Sequence, residues 1–273
     1  MCPYIHIFSF DLPVYGLMML LGMAVSMGIV FLMCKPHNYP RQEALLAALI
    51  AFAGGIAGSI LIRPLIRLPD VIINWGKYSQ LPLGEFFSWF IGEFVFYGGL
   101  IGGAFAVILY CRHFKMSVFH ISDVFAPALP VGHAVGRLGC LLAGCCYGIE
   151  VSPSNPFAIT YPVRTDGMDA FAAPAGVPLL ATPLIEACGN IIIALIVILS
   201  QRKSKISGFG IGMYGMLYSI QRFILEFFRG DLQRGVYGGI STSQIISIII
   251  FAISLVWLLF VYLRSRKTKK ELS

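Results

Sequence analysis

The sequence predicts an all-α, polytopic integral membrane protein with about seven transmembrane helices, and three observations predict it. Of its 273 residues, 58% are hydrophobic and only 12% are charged. Mean hydropathy is +0.81, a value at which a soluble domain would expose large apolar patches. The apolar residues also gather into runs long enough to cross the bilayer, where a helix needs about 20 residues for roughly 30 Å of hydrocarbon. The 29 glycines fit helices that pack closely in lipid.

Seven runs stand out, at about 14–33, 44–62, 86–110, 121–147, 181–200, 208–228 and 244–263. The first opens "YGLMMLLG", with Tyr15 as an interfacial aromatic. The second carries "AGGIAG". The third and fourth are long and glycine-rich, so each can hold a break or a re-entrant piece where protein or a water-filled cavity covers it. Between the fourth and fifth lies the one sizeable connection, about 149–180, rich in Pro, Gly and Ala. It reads equally as a small cap or a mobile loop. After the seventh, "RSRKTKKELS" reads as a topology anchor beside anionic lipid. No internal repeat is apparent, and the whole chain, 1–273, is expected to form a single domain with that outer region. The opening "MCPYIHIFSFDLPVYG" lacks a basic stretch and a small-residue cleavage site, so it is not read as a signal peptide.

Orientation follows from Lys and Arg. One set of loops and the tail hold Lys35, Arg41, Arg112, Lys115, Arg202, Lys203, Lys205, Arg264, Arg266, Lys267, Lys269 and Lys270, 12 of the 20 basic residues. The opposite loops hold Arg63, Arg67, Lys77, Arg164, Arg229 and Arg234. The larger set is expected in the cytoplasm, with the N-terminus outside and the C-terminus inside. The net charge of +7 is therefore topological. It forms no basic patch interleaved with stacking aromatics, which excludes a nucleic-acid partner. The seven cysteines are an odd number in a chain unlike a small secreted scaffold, so no disulfide framework is expected.

Arg137 and Arg222 fall inside apolar runs. An arginine near the middle of a spanning helix costs at least about 2.5 kcal/mol, less near an end where it can snorkel. Its plain reading is a snorkelling or ion-paired structural residue; its functional reading is an anion site. Two stretches favour the second. "QRFILEFFRGD" places Arg222, Glu226 and Arg229 on one helical face. One carboxylate cannot neutralise both of these arginines together with Arg137. "FVFYGGLIGGAFA" sets four glycines around Tyr97, and glycine admits a backbone or a ligand closely. Phosphate accepts paired guanidinium hydrogen bonds, and phospholipid head groups are the phosphates a bilayer offers. Asp123 reads as an N-cap of the fourth run. Glu93 and Glu186 lie in or at the edge of apolar runs and need partners. Cys140, Cys145 and Cys146 follow Arg137 with no standard zinc spacing, and His133 is the only local candidate to join them. They are read as buried apolar thiols, with redox-active or lipidated thiols as the alternatives and no metal or other cofactor expected.

Four stretches in this order resemble the bacterial prolipoprotein diacylglyceryl transferase family: "YGLMMLLG", "FYGGLIGG", "ISDVFAPALPVGHAVGRLGCLLAGCCYG" and "YGMLYSIQRFILEFFRGD". The resemblance implies an enzyme of the bacterial cell membrane. It would move a diacylglyceryl group from phosphatidylglycerol to the thiol of a lipobox cysteine in a preprolipoprotein, and glycerol phosphate would leave. On the matched motifs, Arg137 is expected to bind the lipid head group and Arg222 to clamp or activate the phosphate, with Glu226 and Arg229 in support. Tyr15, Gly98, Gly99 and Cys140 join the expected lipid-binding residues.

The chain departs from the family at telling places. The family's histidine before Gly-Gly is Tyr97, its asparagine after Arg-Leu-Gly is Cys140, and its Asn-Gly-Glu is Ala143, Gly144 and Cys145. Ile56 stands where the family usually has arginine, and "ATPLIEA" keeps only Pro183 and Glu186 of a further motif. His133, one turn before Arg137, is expected to replace the lost histidine as base; Tyr97 would position substrate, because an ordinary phenol is a weak base at neutral pH. The competing readings are a paralogue with another acceptor, and a lipid-binding or transporting protein without catalysis.

Overall fold

A computed structural model describes residues 4–7, 10–91, 96–163, 173–204, 206–231, 236–237 and 239–271. Glu93, Arg164, Lys205 and Arg234 lie outside the described residues, as does the side chain of Tyr97.

Each of the seven apolar runs contains helix among the described residues. The helices are α1 (Val14–Cys34), α2 (Arg41–Ile73), α3 (Trp75–Tyr78), α4 (Leu83–Ile91), α5 (Phe96–His113), α6 (Val118–Phe125), α7 (Ala128–Ala143), α8 (Thr182–Lys203), α9 (Phe209–Leu225) and α10 (Thr242–Glu271). By length and composition α1, α2, α8 and Thr242–Lys267 of α10 can each cross a membrane, and the bent pair α6–α7 raises the number from 4 to 5. The bend is 41° and falls at Ala126 and Pro127, where proline removes a backbone donor from the ladder. The fourth run thus contains the expected break. Large side chains such as Leu61, Leu65 and Val256 are more than 60% exposed, as lipid-facing residues are.

Two sequence expectations are corrected here. Arg63 and Arg67 are not in a loop: α2 continues through Pro64 and Pro69 to Ile73. Neighbouring groups can compensate the hydrogen bonds a proline removes from an apolar helix. Asp123 does not cap the fourth run. It lies within α6 and accepts hydrogen bonds from the backbone N–H groups of Gly208 (2.6 Å) and Gly210 (2.8 Å) at the start of α9.

The described chain divides into two compact units, residues 34–121 and residues 1–33 with 122–273. In the first, α2 and α5 lie backbone to backbone. A Cβ at Gly58 would strike the carbonyl of Gly98, and one at Gly102 the carbonyl of Gly54. Only glycine stripes permit this approach. At one end of the pair, Arg67 donates to the Trp89 carbonyl at 2.8 Å and stacks 4.0 Å over its ring. Elsewhere the Tyr110 hydroxyl donates to Glu43 at 2.6 Å.

In the second unit, α1 packs on α7 through small residues. The Ser26 hydroxyl donates to the Ala128 carbonyl at 3.1 Å, and Gly22, Gly132 and Gly139 keep the contact close. Ala126, Ile193 and Val197 form a buried cluster with Tyr214 and Tyr218 against it. The connection after α7 is a structured element where described. Strands β3 (Ala158–Thr160) and β4 (Pro178–Leu180) pair antiparallel, over a cluster of Tyr161, Ala173 and Leu179. Two further short hairpins, Tyr4–Ile7 with Phe10–Pro13 and Val236–Tyr237 with Ile240–Ser241, complete the described elements.

Candidate functional site

In the second unit, α7, α8 and α9 assemble a buried polar site from residues far apart in sequence. On α7, His133 and Arg137 are one turn apart. The Arg137 Nε–H donates to His133 Nε2 at 3.2 Å. The imidazole nitrogen is therefore an acceptor, so the ring is neutral with its proton on Nδ1. From α8, Glu186 is 3% exposed and brings Oε1 to 3.1 Å from Arg137 Nε and 3.7 Å from His133 Nε2. That oxygen accepts no hydrogen bond among the described residues. The contact is thus ionic, because the Nε proton points at His133. Glu186 is fixed from behind: Gln221 on α9 donates to its carbonyl at 3.0 Å.

Arg222 ends α9. Its Nη2 lies 3.1 Å from Glu226 Oε2 and donates to the Ser243 hydroxyl of α10 at 3.0 Å. Its Nη1 is buried and has no hydrogen-bond partner among the described residues. Leaving a buried guanidinium donor unmade is costly, and among the described residues nothing meets this one. Tyr218 links the two arginines. Its ring lies 5.1 Å from the His133 ring, and its hydroxyl is within hydrogen-bond reach of Arg137 and electrostatic reach of Arg222. Beside Arg222, a cavity of about 210 Å³ is lined by Ser219, Ile220, Phe223, Ile224, Ser247 and Phe251, among others. Its lining suits an alkyl chain.

Arg229 follows the short 3-10 turn of Glu226–Phe228. Its Nε donates to Asp231 at 2.9 Å. Burial works against its charge, but the Asp231 carboxylate more than offsets this and keeps the guanidinium firmly protonated. A bridge between Gly148 and Arg229 brings the segment after α7 alongside. There Cys140, Cys145 and Cys146 converge, with their sulfurs all within 4.8 Å of one another. The three thiols are within hydrogen-bond reach of one another, and Arg137 and Arg229 are within electrostatic reach of Cys146. Burial, and then these thiols, push the Tyr161 hydroxyl up to about 12.

The second unit holds His133, Arg137, Cys140, Arg222, Glu226 and Arg229, and Glu186 is the ionic partner of Arg137. Tyr15 joins them: its ring packs over Gly139, within electrostatic reach of Arg137 and Cys140. Tyr97, Gly98 and Gly99 lie on α5 in the other unit, where the glycines serve the contact with α2. Sequence reasoning passed over Tyr218, Ser243 and Asn190. Asn190, one turn after Glu186, is fully buried with both amide atoms unpartnered among the described residues. A polar residue four positions after an intramembrane glutamate was the available signal.

A family model described as prolipoprotein diacylglyceryl transferase matches residues 3–260. The chain is 34% identical over 245 residues to phosphatidylglycerol–prolipoprotein diacylglyceryl transferase 2 of Clostridium perfringens, covering 90% of this chain and 89% of that one. It is 30% identical over 243 residues to the phosphatidylglycerol–prolipoprotein diacylglyceryl transferase of Clostridium tetani, covering 89% and 90%. With the enzyme of that name from Proteus mirabilis it shares 28% over 277 residues, covering 93% and 89%.

Proposed function

The chain belongs to the prolipoprotein diacylglyceryl transferase family, and from that premise we propose how its buried arginines carry out the transfer. It is an enzyme that moves a diacylglyceryl group from phosphatidylglycerol to a prolipoprotein. The acceptor is the lipobox cysteine of a signal segment, reached within the bacterial cell membrane. Seven spans, with the N-terminus outside and the C-terminus in the cytoplasm, put Arg137 and Arg222 toward the outer leaflet. The whole chain acts as one transferase domain, with the region of the β3–β4 hairpin as its outer cap.

In this reading the head-group phosphate is held between Arg137 and Arg222. The observation that carries it is the buried Nη1 of Arg222, which has no hydrogen-bond partner among the described residues. The acceptor sulfur attacks the glyceryl carbon, the bond from that carbon to the phosphate oxygen breaks, and glycerol phosphate leaves with the electron pair. Negative charge grows on the leaving phosphate, where preorganised guanidiniums lower the barrier most. Glu226 and Ser243 hold Arg222 in place; Arg229 adds positive field; Glu186 and Tyr218 orient Arg137. Arg137 turning toward phosphate releases the His133 Nε2 lone pair, which then takes the thiol proton. Tyr15 and Cys140 contribute to the lipid site from α1 and α7.

The test is peptide lipidation by purified protein with phosphatidylglycerol and a lipobox peptide, scored by release of glycerol phosphate. Lipidation that disappears in Arg137→Ala supports the reading; phospholipid binding without release of glycerol phosphate refutes it. His133→Gln separates the roles on α7. Loss of kcat with KM retained assigns the base to His133, whereas unchanged kcat removes it.

A further inference from the structure

The three thiols at the end of α7 are a different device from the arginine pair. Chain geometry converges on them. Gly144 ends α7 in the left-handed conformation, φ 72°. Two residues on, Cys146 adopts φ 59°, a region that residues with a side chain rarely occupy. That conformation is held by outside contacts. The Thr182 hydroxyl donates to the Cys146 carbonyl at 2.7 Å, and the Ala173 N–H donates to the Gly144 carbonyl at 3.0 Å. The Cys145 thiol turns back to the Cys140 carbonyl at 3.7 Å. The result aims three sulfurs at one point, within 4.8 Å of one another. Backbone held in a sparsely populated region by its surroundings is a mark of functional sites.

We propose that Cys140, Cys145 and Cys146 bind a thiophilic metal ion, Zn²⁺ or a softer ion of the same charge, in a three-sulfur site. Zinc–sulfur bonds of about 2.3 Å in tetrahedral geometry separate sulfurs by about 3.8 Å, so the cluster closes on the ion with shifts of about 1 Å or less. Three thiolates with a divalent ion leave one net negative charge, and Arg137 and Arg229 lie within electrostatic reach to balance it. The fourth position faces the Tyr161 side. Tyr161 is 3% exposed, its ring packs against Gly144, and its hydroxyl, without a hydrogen-bond partner among the described residues, feels all three thiols. That hydroxyl, or a water it holds, completes the shell. Soft sulfur ligands select this class of ion over magnesium or calcium.

The experiment uses full-length protein in detergent, reduced with a phosphine and kept free of oxygen, titrated with Zn²⁺ or Cd²⁺ alone. The expected result is one ion per chain by elemental analysis, with a thiolate-to-cadmium charge-transfer band in the ultraviolet. Binding weakens at least 100-fold in Cys146→Ser and in Cys140→Ser. It is unchanged in Cys188→Ser and Cys34→Ser, whose thiols lie elsewhere. Reduced wild-type protein that takes up no ion, or a band that survives in the triple serine variant, overturns the proposal. The wild-type titration decides this even where a serine variant does not fold.

Discussion

The two units of this chain solve the same problem, holding helices together in lipid, by opposite means. Residues 34–121 do it by removing side chains. Along α2 and α5 the glycines at 54, 58, 98 and 102 let backbones touch, and dispersion at close range does the work. The unit of α7, α8 and α9 instead buries ion pairs, Arg137 with Glu186 and Arg222 with Glu226. Buried pairs are a poor way to gain stability, since desolvation consumes most of the attraction. The contrast is between a unit held mainly by backbone contact, with Arg63 buried on α2, and one that buries paired charges in the region proposed to bind the ligand.

The largest test of that contrast is Arg222→Ala. Removing a guanidinium aimed at developing charge lowers kcat/KM by about 100- to 1,000-fold, measured by peptide lipidation, and because it takes that partner from the buried Glu226 carboxylate it also lowers the thermal midpoint. Arg222→Lys recovers little, because an ammonium lacks the planar fork that serves Ser243, Glu226 and phosphate together. Next comes Glu186→Gln. It strands Arg137 with a neutral partner and destabilises by about 3 kcal/mol, read as a fall in the detergent melting midpoint alongside lower activity. If Glu186→Gln raised the midpoint, the pair would be a strained ligand clamp and not a support.

In the glycine unit the expected effects are on packing. Gly98→Ala drives a methyl into the Gly58 carbonyl and the Ile62 side chain, costing about 1–3 kcal/mol as overpacking does. The smallest effect is the control. Gly28→Ala, on α1, meets nothing within 4 Å and changes the midpoint by the equivalent of about 1 kcal/mol or less, toward stability. Equal effects for Gly98→Ala and Gly28→Ala would erase the distinction between a packed stripe and an incidental glycine.

How much was legible depended on whether the signal was local. The apolar runs were legible as helix-bearing stretches because hydropathy needs no partner to be read, and among the described residues 4 to 5 spans are long and apolar enough to cross a membrane. Arg137 was legible because a charge in an apolar run is anomalous wherever the chain goes next. The identity of its partner was not, since Glu186 is 49 positions away and only the packing of α7 on α8 joins them. Tyr218 and Ser243 escaped notice for a related reason. They are uncharged, common in spanning helices, and meaningful only beside a guanidinium. Arg63 and Arg67 were placed in a loop because the second apolar run was ended at about 62, yet α2 runs through Pro64 and Pro69 to Ile73. The three cysteines were read as inert because their spacing fits no familiar ligand pattern. Two left-handed residues, invisible in a spacing, are what turn the sulfurs inward.

Asp123 has a reach well beyond its own helix. Its carboxylate grips the N–H groups of Gly208 and Gly210, while the Trp257 indole clasps the Gly208 carbonyl at 2.7 Å. Arg222 sits 12 residues further along α9, about 18 Å at 1.5 Å per residue. A slip of one residue at that anchor would swing the guanidinium through about 100°. The aspartate therefore acts as a ruler's zero mark, and the direction in which a distant guanidinium points is measured from it.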